Sequence, residues 1–287
     1  MTNCCESDAC CGMKFDGEVP RYYDELFGRQ LFEPYAVDLI SRIQLSSPPR
    51  MILELGCGTG ICTKQIVSAF PQSTVYATDI SADMVNYAKN NFTPESEETS
   101  HTKVNWEVHS CCKLPYKDNM FDLVVCQFGF MFCDDKHLAF TEVSRVLSDG
   151  GKLIFNVWGD FEDNPLCFLA DEVLESSHNQ HNSDYFREPY SMRNKEEVKR
   201  LLTTTGFSNI ECWDECMMCA WNSPLEAARA IIDGSPISTI IDEDIDIEEI
   251  IESIAEKYSP YVVEDGRAVF PMKAVVYCCS SRSIRSD

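Results

Sequence analysis

Four polar residues, Glu54, Asp79, Ser110 and Gln127, each stand at or just past the end of a separate apolar run. Ligands of open parallel sheets sit beyond the carboxyl ends of the strands, so polar side chains recurring there can line one site. Between the first two lie Gly56, Gly58 and Gly60, at alternate positions. Glycines let a backbone turn tightly and approach a ligand that any Cβ would push away. Asp79 offers a carboxylate to ribose hydroxyls, and a hydrogen bond to such a charged acceptor contributes roughly 1.5–3 kcal/mol. The chemistry this combination suits is the grip of a nucleoside.

The elements that must position these groups can be read from periodicity. Apolar runs ending at Glu54 and Asp79 read as buried strands, with a helix over 62–70 between them that Pro71 ends. Ser81 is a good N-cap for a helix running to about Phe92. Strands are expected over 103–108 and 123–127, and Asp134 is expected to cap the next helix, with Ala139, Val143, Val146 and Leu147 at core spacing. Asp149-Gly-Gly151 turns that helix into a strand over 152–158. Ahead of the first strand, Ala36, Leu39, Ile40 and Ile43 fall at helical spacing. Residues 159–190 read as irregular. A helix over 196–205, closed by Gly206, leads to a strand over 207–220. Ser223-Pro-Leu-Glu226 is a capping box opening another helix. An acidic helix over 242–257 carries isoleucines at 247, 250, 251 and 254 on one stripe. A last strand over 268–278 can hairpin onto the 207–220 strand. Alternating strands and helices, with one antiparallel pair at the end, indicate an α/β fold with a doubly wound, mostly parallel sheet of seven strands. The expected organisation is a cysteine-rich tail over 1–14, a nucleoside-binding core over 15–158 and a cap insertion over 159–190. The rest of the sheet occupies 191–280 with a helical lid at 222–262, and 281–287 form a polar tail.

The glycine pattern is acid-x-G-x-G-x-G rather than the G-x-G-x-x-G of dinucleotide enzymes. It resembles the first motif of the class I S-adenosylmethionine-dependent methyltransferases. Two further stretches carry the same resemblance. His109-Ser-Cys-Cys-Lys-Leu-Pro-Tyr-Lys-Asp-Asn-Met-Phe-Asp122 is similar to the family's D-A-x-x-L-P-F-x-D-x-x-F-D segment, with Ser110-Cys111 where Asp-Ala is usual. Phe15-Asp-Gly-Glu-Val-Pro-Arg-Tyr-Tyr-Asp24 and Leu31-Phe-Glu-Pro-Tyr-Ala-Val-Asp-Leu39 resemble the small-molecule branch related to quinone-biosynthesis methyltransferases. The resemblance implies a Rossmann-like sheet in the order 3-2-1-4-5-7-6, S-adenosyl-L-methionine as cofactor, and in-line methyl transfer to a small-molecule acceptor. It places Tyr22, Glu54, Gly56, Cys57, Gly58, Gly60, Asp79, Ile80, Met84, Ser110, Cys111 and Gln127 around the cofactor. Glu54 would hold the amino end, Gly56 and Gly58 would give backbone access to the methionine part, and Ser110 would accept from the adenine amino group. Either Tyr22 or Tyr23 could present a ring to the sulfonium or simply pack, and Met84 could face adenine or core. Phe130, Trp158, Tyr185 and Trp221 are candidate walls of the acceptor chamber. His109 and His137 are the nearest possible bases; neither is assigned, since the cofactor already carries the activation and alignment can supply roughly 7–11 kcal/mol.

Composition excludes several partners. A formal net charge of −23 over 287 residues repels phosphate backbones, so nucleic acid and anionic membrane surfaces are poor partners. Sixteen cysteines, four adjacent pairs among them, with no signal-peptide pattern and no bilayer-length apolar run, suit a reducing, cytoplasmic setting with free thiols. No metal site is expected. Cys212, Cys216 and Cys219 have a spacing seen in radical enzymes, but on an expected strand. The rival functions are arsenic or thiol methylation through the terminal cysteine pairs, a non-catalytic cofactor-binding scaffold, and a nicotinamide oxidoreductase.

Overall fold

The structure, a computed structural model, describes residues 15–94, 102–177, 184–235, 237 and 246–282. The N-terminal tail, the cysteine pairs within it and residues 242–245, expected to open the acidic helix, lie outside the described residues.

Seven strands form one sheet among the described residues, in the order β3-β2-β1-β4-β5-β7-β6. They are β1 (Met51–Leu55), β2 (Thr74–Asp79), β3 (Lys103–Val108), β4 (Phe121–Gln127), β5 (Leu147–Trp158), β6 (Phe207–Trp221) and β7 (Ala268–Ser281). β1 to β5 are parallel, whereas β7 runs antiparallel to both β5 and β6. Central strands covered on both faces need apolar residues at every position, and Ile52, Leu53 and Leu55 of β1 are all buried. Alternation then divides the core. Leu53, Val124, Phe155 and Tyr277 pack on one face, while Ile52, Val125, Ile154 and Val276 pack on the other. β5 starts five residues before the expected 152, because Leu147 pairs with Phe121 and the register shifts before Leu123.

Helices cover both faces. α3 (Ile61–Ala69), α4 (Ala82–Asn91) and α5 (Lys136–Val146) link the parallel strands. Ser81 Oγ accepts the Met84 N–H at 3.2 Å and caps α4. α5 is capped by Asp135, whose Oδ1 accepts from Leu138 N–H at 2.8 Å, and not by Asp134. Burial of Ala139, Phe140, Val143 and Val146 sets the helix phase, and that phase puts the first turn at Lys136. Three further helices were legible. α8 (Lys195–Thr204) is capped by Asn194, α9 (Pro224–Asp233) by Ser223, and α10 (Ile247–Lys257) by Asp246.

Two elements depart from expectation. The N-terminal helix is three pieces: α1 (Val19–Tyr23), a π-helix over Asp24–Phe32, and α2 (Glu33–Ser41). Glu33 N–H bonds the Gly28 carbonyl five residues back, and α2 ends before Ile43. Residues 159–190 are not irregular throughout, since they contain α6 (Pro165–Ser177) and a short α7 (Asp184–Arg187). Leu166, Ala170 and Val173 bury one stripe of α6, but Asp171 is buried beside them and breaks the apolar pattern in sequence. Asn164 anchors the start of α6 to β7: its Oδ1 accepts Lys273 N–H at 2.8 Å and its Nδ2 donates to Lys273 O at 3.2 Å.

Candidate active site

The chain runs β1, β2, β3 in one direction across the sheet and β4, β5 in the other, so β1 and β4 flank the point where the order reverses. Past their carboxyl ends opens a cavity of about 660 Å³, within the size range of small-molecule sites. Loops after β1, β2, β3 and β4 form its walls, and Phe15, Asp16 and Tyr23 of the N-terminal segment close one side.

Left-handed glycines shape the first wall, with φ +66° at Gly56 and +52° at Gly58. The turn after β4 meets it closely: a Cβ on Gly56 would lie 3.4 Å from Gly129 Cα. A Cβ on Gly129 would lie 2.7 Å from Cys126 Sγ, a distance real atoms do not tolerate. Gly129→Ala should therefore lower stability by about 1–3 kcal/mol through overpacking. In thermal melts, most of that loss should vanish when the change is made in a Cys126→Ala background, and an undiminished loss would show that the sulfur is not the obstacle.

Asp79 is the hub of the second wall. Its Oδ2 accepts Gly58 N–H and its Oδ1 accepts Ser81 N–H, each at 2.9 Å. The carboxylate thus ties the glycine turn to the start of α4. Burial pushes its pKa up, while the N–H groups of Ser81, Gly58 and Ile80 pull it back. Each oxygen keeps a further lone pair for a hydroxyl donor. Ile80 and Met84 line the cavity beside it, as do Gly56, Gly58, Ser110, Cys111 and Gln127.

Four of the candidate residues stand elsewhere. Glu54 points under α3, where its Oε2 accepts Thr63 Oγ–H at 2.6 Å. Strand alternation puts Glu54 on the face shared with Ile52, so its side chain does not extend beyond the strand end. Burial there raises its pKa from 4.5 to about 8, with the Thr63 and Cys62 hydrogen bonds opposing, and Oε1 has no partner. Cys57 is buried against Ala77 and Val85. Gly60 caps α3 at φ +86°, where a Cβ would lie 3.3 Å from Trp106. Tyr22 lies under the Arg21 guanidinium, 4.3 Å from ring centroid to Cζ, and it is Tyr23 that lines the cavity.

Beside the expected His109, Gln127 and Phe130, the third and fourth walls hold Phe128 and Phe132, which spacing alone did not single out. His109 Nε2 lies 3.1 Å from Glu107 Oε2, which also accepts Tyr116 O–H at 2.7 Å. His109 faces the cavity, whereas His137 is exposed on α5. Gln127 Nε2 donates to the Phe32 carbonyl at 2.8 Å and leaves its buried Oε1 without a partner. Phe128 holds φ +49°, a costly conformation for an aromatic residue, and stacks on Trp158 at 4.0 Å. Phe130 and Phe132 line the cavity, while Trp158 and Trp221 belong to the core and the Tyr185 side chain lies outside the described residues. Cys278 and Cys279 of β7 sit in opposite halves of the core, so this pair cannot close on one ion. Cys212, Cys216 and Cys219 lie within β6.

Comparison with known proteins points the same way as the geometry. Residues 53–155 match a family model described as a methyltransferase domain. The malonyl-[acyl-carrier protein] O-methyltransferase of Paenibacillus sp. (strain JDR-2) is 24% identical over 63% of this chain and 63% of its own length. The demethylmenaquinone methyltransferase of Chlamydia pneumoniae is 32% identical over 39% of this chain and 46% of its own. The chain thus spans less than two thirds of either relative. Among solved structures, Haemonchus contortus phosphoethanolamine N-methyltransferase 2, in complex with S-adenosyl-L-methionine, superposes with a TM-score of 0.58 at 17% identity. That match covers 92% of this chain and 56% of the other. The stretch that this methyltransferase-domain model matches, from Leu53 in β1 to Phe155 in β5, contains every wall of the crevice after the N-terminal segment.

Proposed function

We propose that this protein transfers a methyl group from S-adenosyl-L-methionine to a small-molecule acceptor. The observation that carries the reading is the Asp79 carboxylate, fixed by Gly58 and Ser81 N–H groups at the mouth of the reversal point. The residues present fit such a cofactor. Asp79 retains lone pairs for a vicinal diol, and the buried Gln127 Oε1 lacks a donor that an ammonium or hydroxyl would provide. Open space within 4 Å of Gly58 leaves its backbone approachable. When bound, the cofactor supplies an activated methyl group on a sulfonium. The chain's part is to hold and align. Asp79 binds the ribose, the Gly56–Gly58 backbone faces the amino-acid end, and Ile80 and Met84 pack on adenine. Ser110 and the Cys111 N–H meet its edge, and the Tyr23 ring offers a π face to the cation. Glu54, turned under α3, acts by supporting the glycine turn and not by touching the ligand.

The acceptor side, with Phe15, Phe130 and Phe132, suits an apolar or aromatic molecule. A net charge of −23 disfavours acceptors borne on acidic carriers or on nucleic acid. Among the described residues no helix is long and apolar enough to cross a membrane, and the free thiols fit a reducing, cytoplasmic setting. The test is incubation of the protein with S-adenosylmethionine carrying a labelled methyl group and a small-molecule extract, followed by mass identification of the labelled product. Label in a low-mass apolar compound is the expected result. Tight cofactor binding without transfer across a broad acceptor panel would favour a binding scaffold. Protection against unfolding by NADH and not by S-adenosylmethionine would overturn the reading.

A further inference from the structure

Three cysteines meet at the adenine side of the cavity, and their thiols take no part in the function proposed above. Cys111 and Cys112 follow β3, and Cys133 closes the short helical turn Phe130–Phe132 after β4. All three line the cavity. Cys111 Sγ and Cys133 Sγ are 2.7 Å apart, although 22 residues separate them in sequence. A disulfide needs sulfurs about 2.05 Å apart, so these two are already nearly at bonding distance. Cys112 N–H donates to Ser110 Oγ at 3.2 Å and keeps the pair of cysteines in a tight bend.

We infer that Cys111 and Cys133 form a reversible dithiol–disulfide switch that reacts with hydrogen peroxide and gates the cofactor crevice; the gating half rests on the functional reading above. Loss of its proton turns one thiol of the pair into the thiolate that attacks peroxide. That sulfur takes one peroxide oxygen as the O–O bond breaks, and the hydroxide released leaves as water with the thiol's proton. The other sulfur displaces the second oxygen, which leaves as water with the second thiol's proton, and the Cys111–Cys133 bond forms. In sum, two thiols become one disulfide and one hydrogen peroxide becomes two waters.

The bond would pin the loop after β3 to the turn after β4, two walls of one cavity. Ser110 and the Cys111 N–H, which face the adenine position, would be drawn toward Cys133. Cofactor affinity should therefore fall on oxidation, and reciprocity requires that bound cofactor disfavour the disulfide at equilibrium by the same factor.

The test uses the full chain, pre-reduced, then treated with hydrogen peroxide, alkylated and digested without reductant. Mass mapping should find peptides joined through Cys111 and Cys133, and S-adenosylmethionine should bind the oxidised form at least about tenfold more weakly, with dithiothreitol reversing both. In Cys133→Ser the crosslink should be absent and the ratio of oxidised to reduced affinity should stay near one. Crosslinks formed only elsewhere, or a Cys111–Cys133 bond with unchanged affinity, would overturn the switch. A reduced chain that fails to bind S-adenosylmethionine would sink the functional reading and the gating with it; the peptide map identifies which half failed.

Discussion

Replacing Asp79 by alanine should abolish measurable binding of S-adenosylmethionine while the fold persists. Two ribose hydroxyls donating to one carboxylate would contribute roughly 3–6 kcal/mol, which predicts an affinity loss of about 100-fold or more. The same carboxylate accepts Gly58 and Ser81 N–H groups, so the variant also leaves two backbone donors to find water. Some loss of stability, about 1–3 kcal/mol, should accompany the loss of binding. Asp79→Asn keeps a single acceptor oxygen to serve both backbone and diol, so it should weaken binding and stability less than alanine does. Titration calorimetry for affinity and urea melts for stability check the pair. Unchanged affinity in a folded Asp79→Ala chain would refute the assignment of the ribose to this residue.

Glu54 should make stability depend on pH in an unusual direction. Its pKa rises from 4.5 in the unfolded chain to about 8 in the fold, because burial penalises the charge. Between those values the folded state holds a proton that the unfolded state has released. Stability therefore falls as pH rises through that window, approaching a cost of roughly 4–5 kcal/mol above it. Below the lower value the two states are protonated alike and the cost disappears. Glu54→Gln has no proton to lose and keeps an oxygen for Thr63. The difference in unfolding free energy, variant minus parent, should be near zero at about pH 5 and should grow to several kcal/mol by about pH 8.5. A difference that stays flat across this range would mean that the carboxylate is ionised throughout.

The comparison of Glu54 with Asp79 shows what spacing can and cannot tell. Both are acids at the ends of apolar runs, and both read as crevice residues. Asp79 is the last residue of its strand, where the side chain is free to reach past the sheet. Glu54 is the fourth of five, where alternation sends it into the helix layer. Tyr22 and Tyr23 differ for a related reason. They directly precede nine residues of π-helix, and the altered winding shifts which side faces the cavity in a way that 3.6-residue periodicity cannot anticipate. The capping of α4 and α9 and the glycine turn were legible because each depends on local residue types, whereas the sheet order was implied by the family resemblance and not by spacing. The meeting of Cys111 with Cys133 was not legible, since it depends on how two loops from different strands converge. Helix α6 stayed hidden because Asp171 is buried within its apolar stripe, held by Arg187 at 3.5 Å.

The place of β7 has a consequence for how the chain matures. β7 is made after β5 and β6 yet slots between them, and among the described residues it supplies every antiparallel pairing in the sheet. Until Ala268–Ser281 leaves the ribosome, β5 presents a bare rim and the fifteen residues of β6 have no neighbour to zip against. Such pairings across long sequence distances form slowly. The half that bears the crevice can settle early; the far third of the sheet must wait, sticky and open, for β7 to arrive.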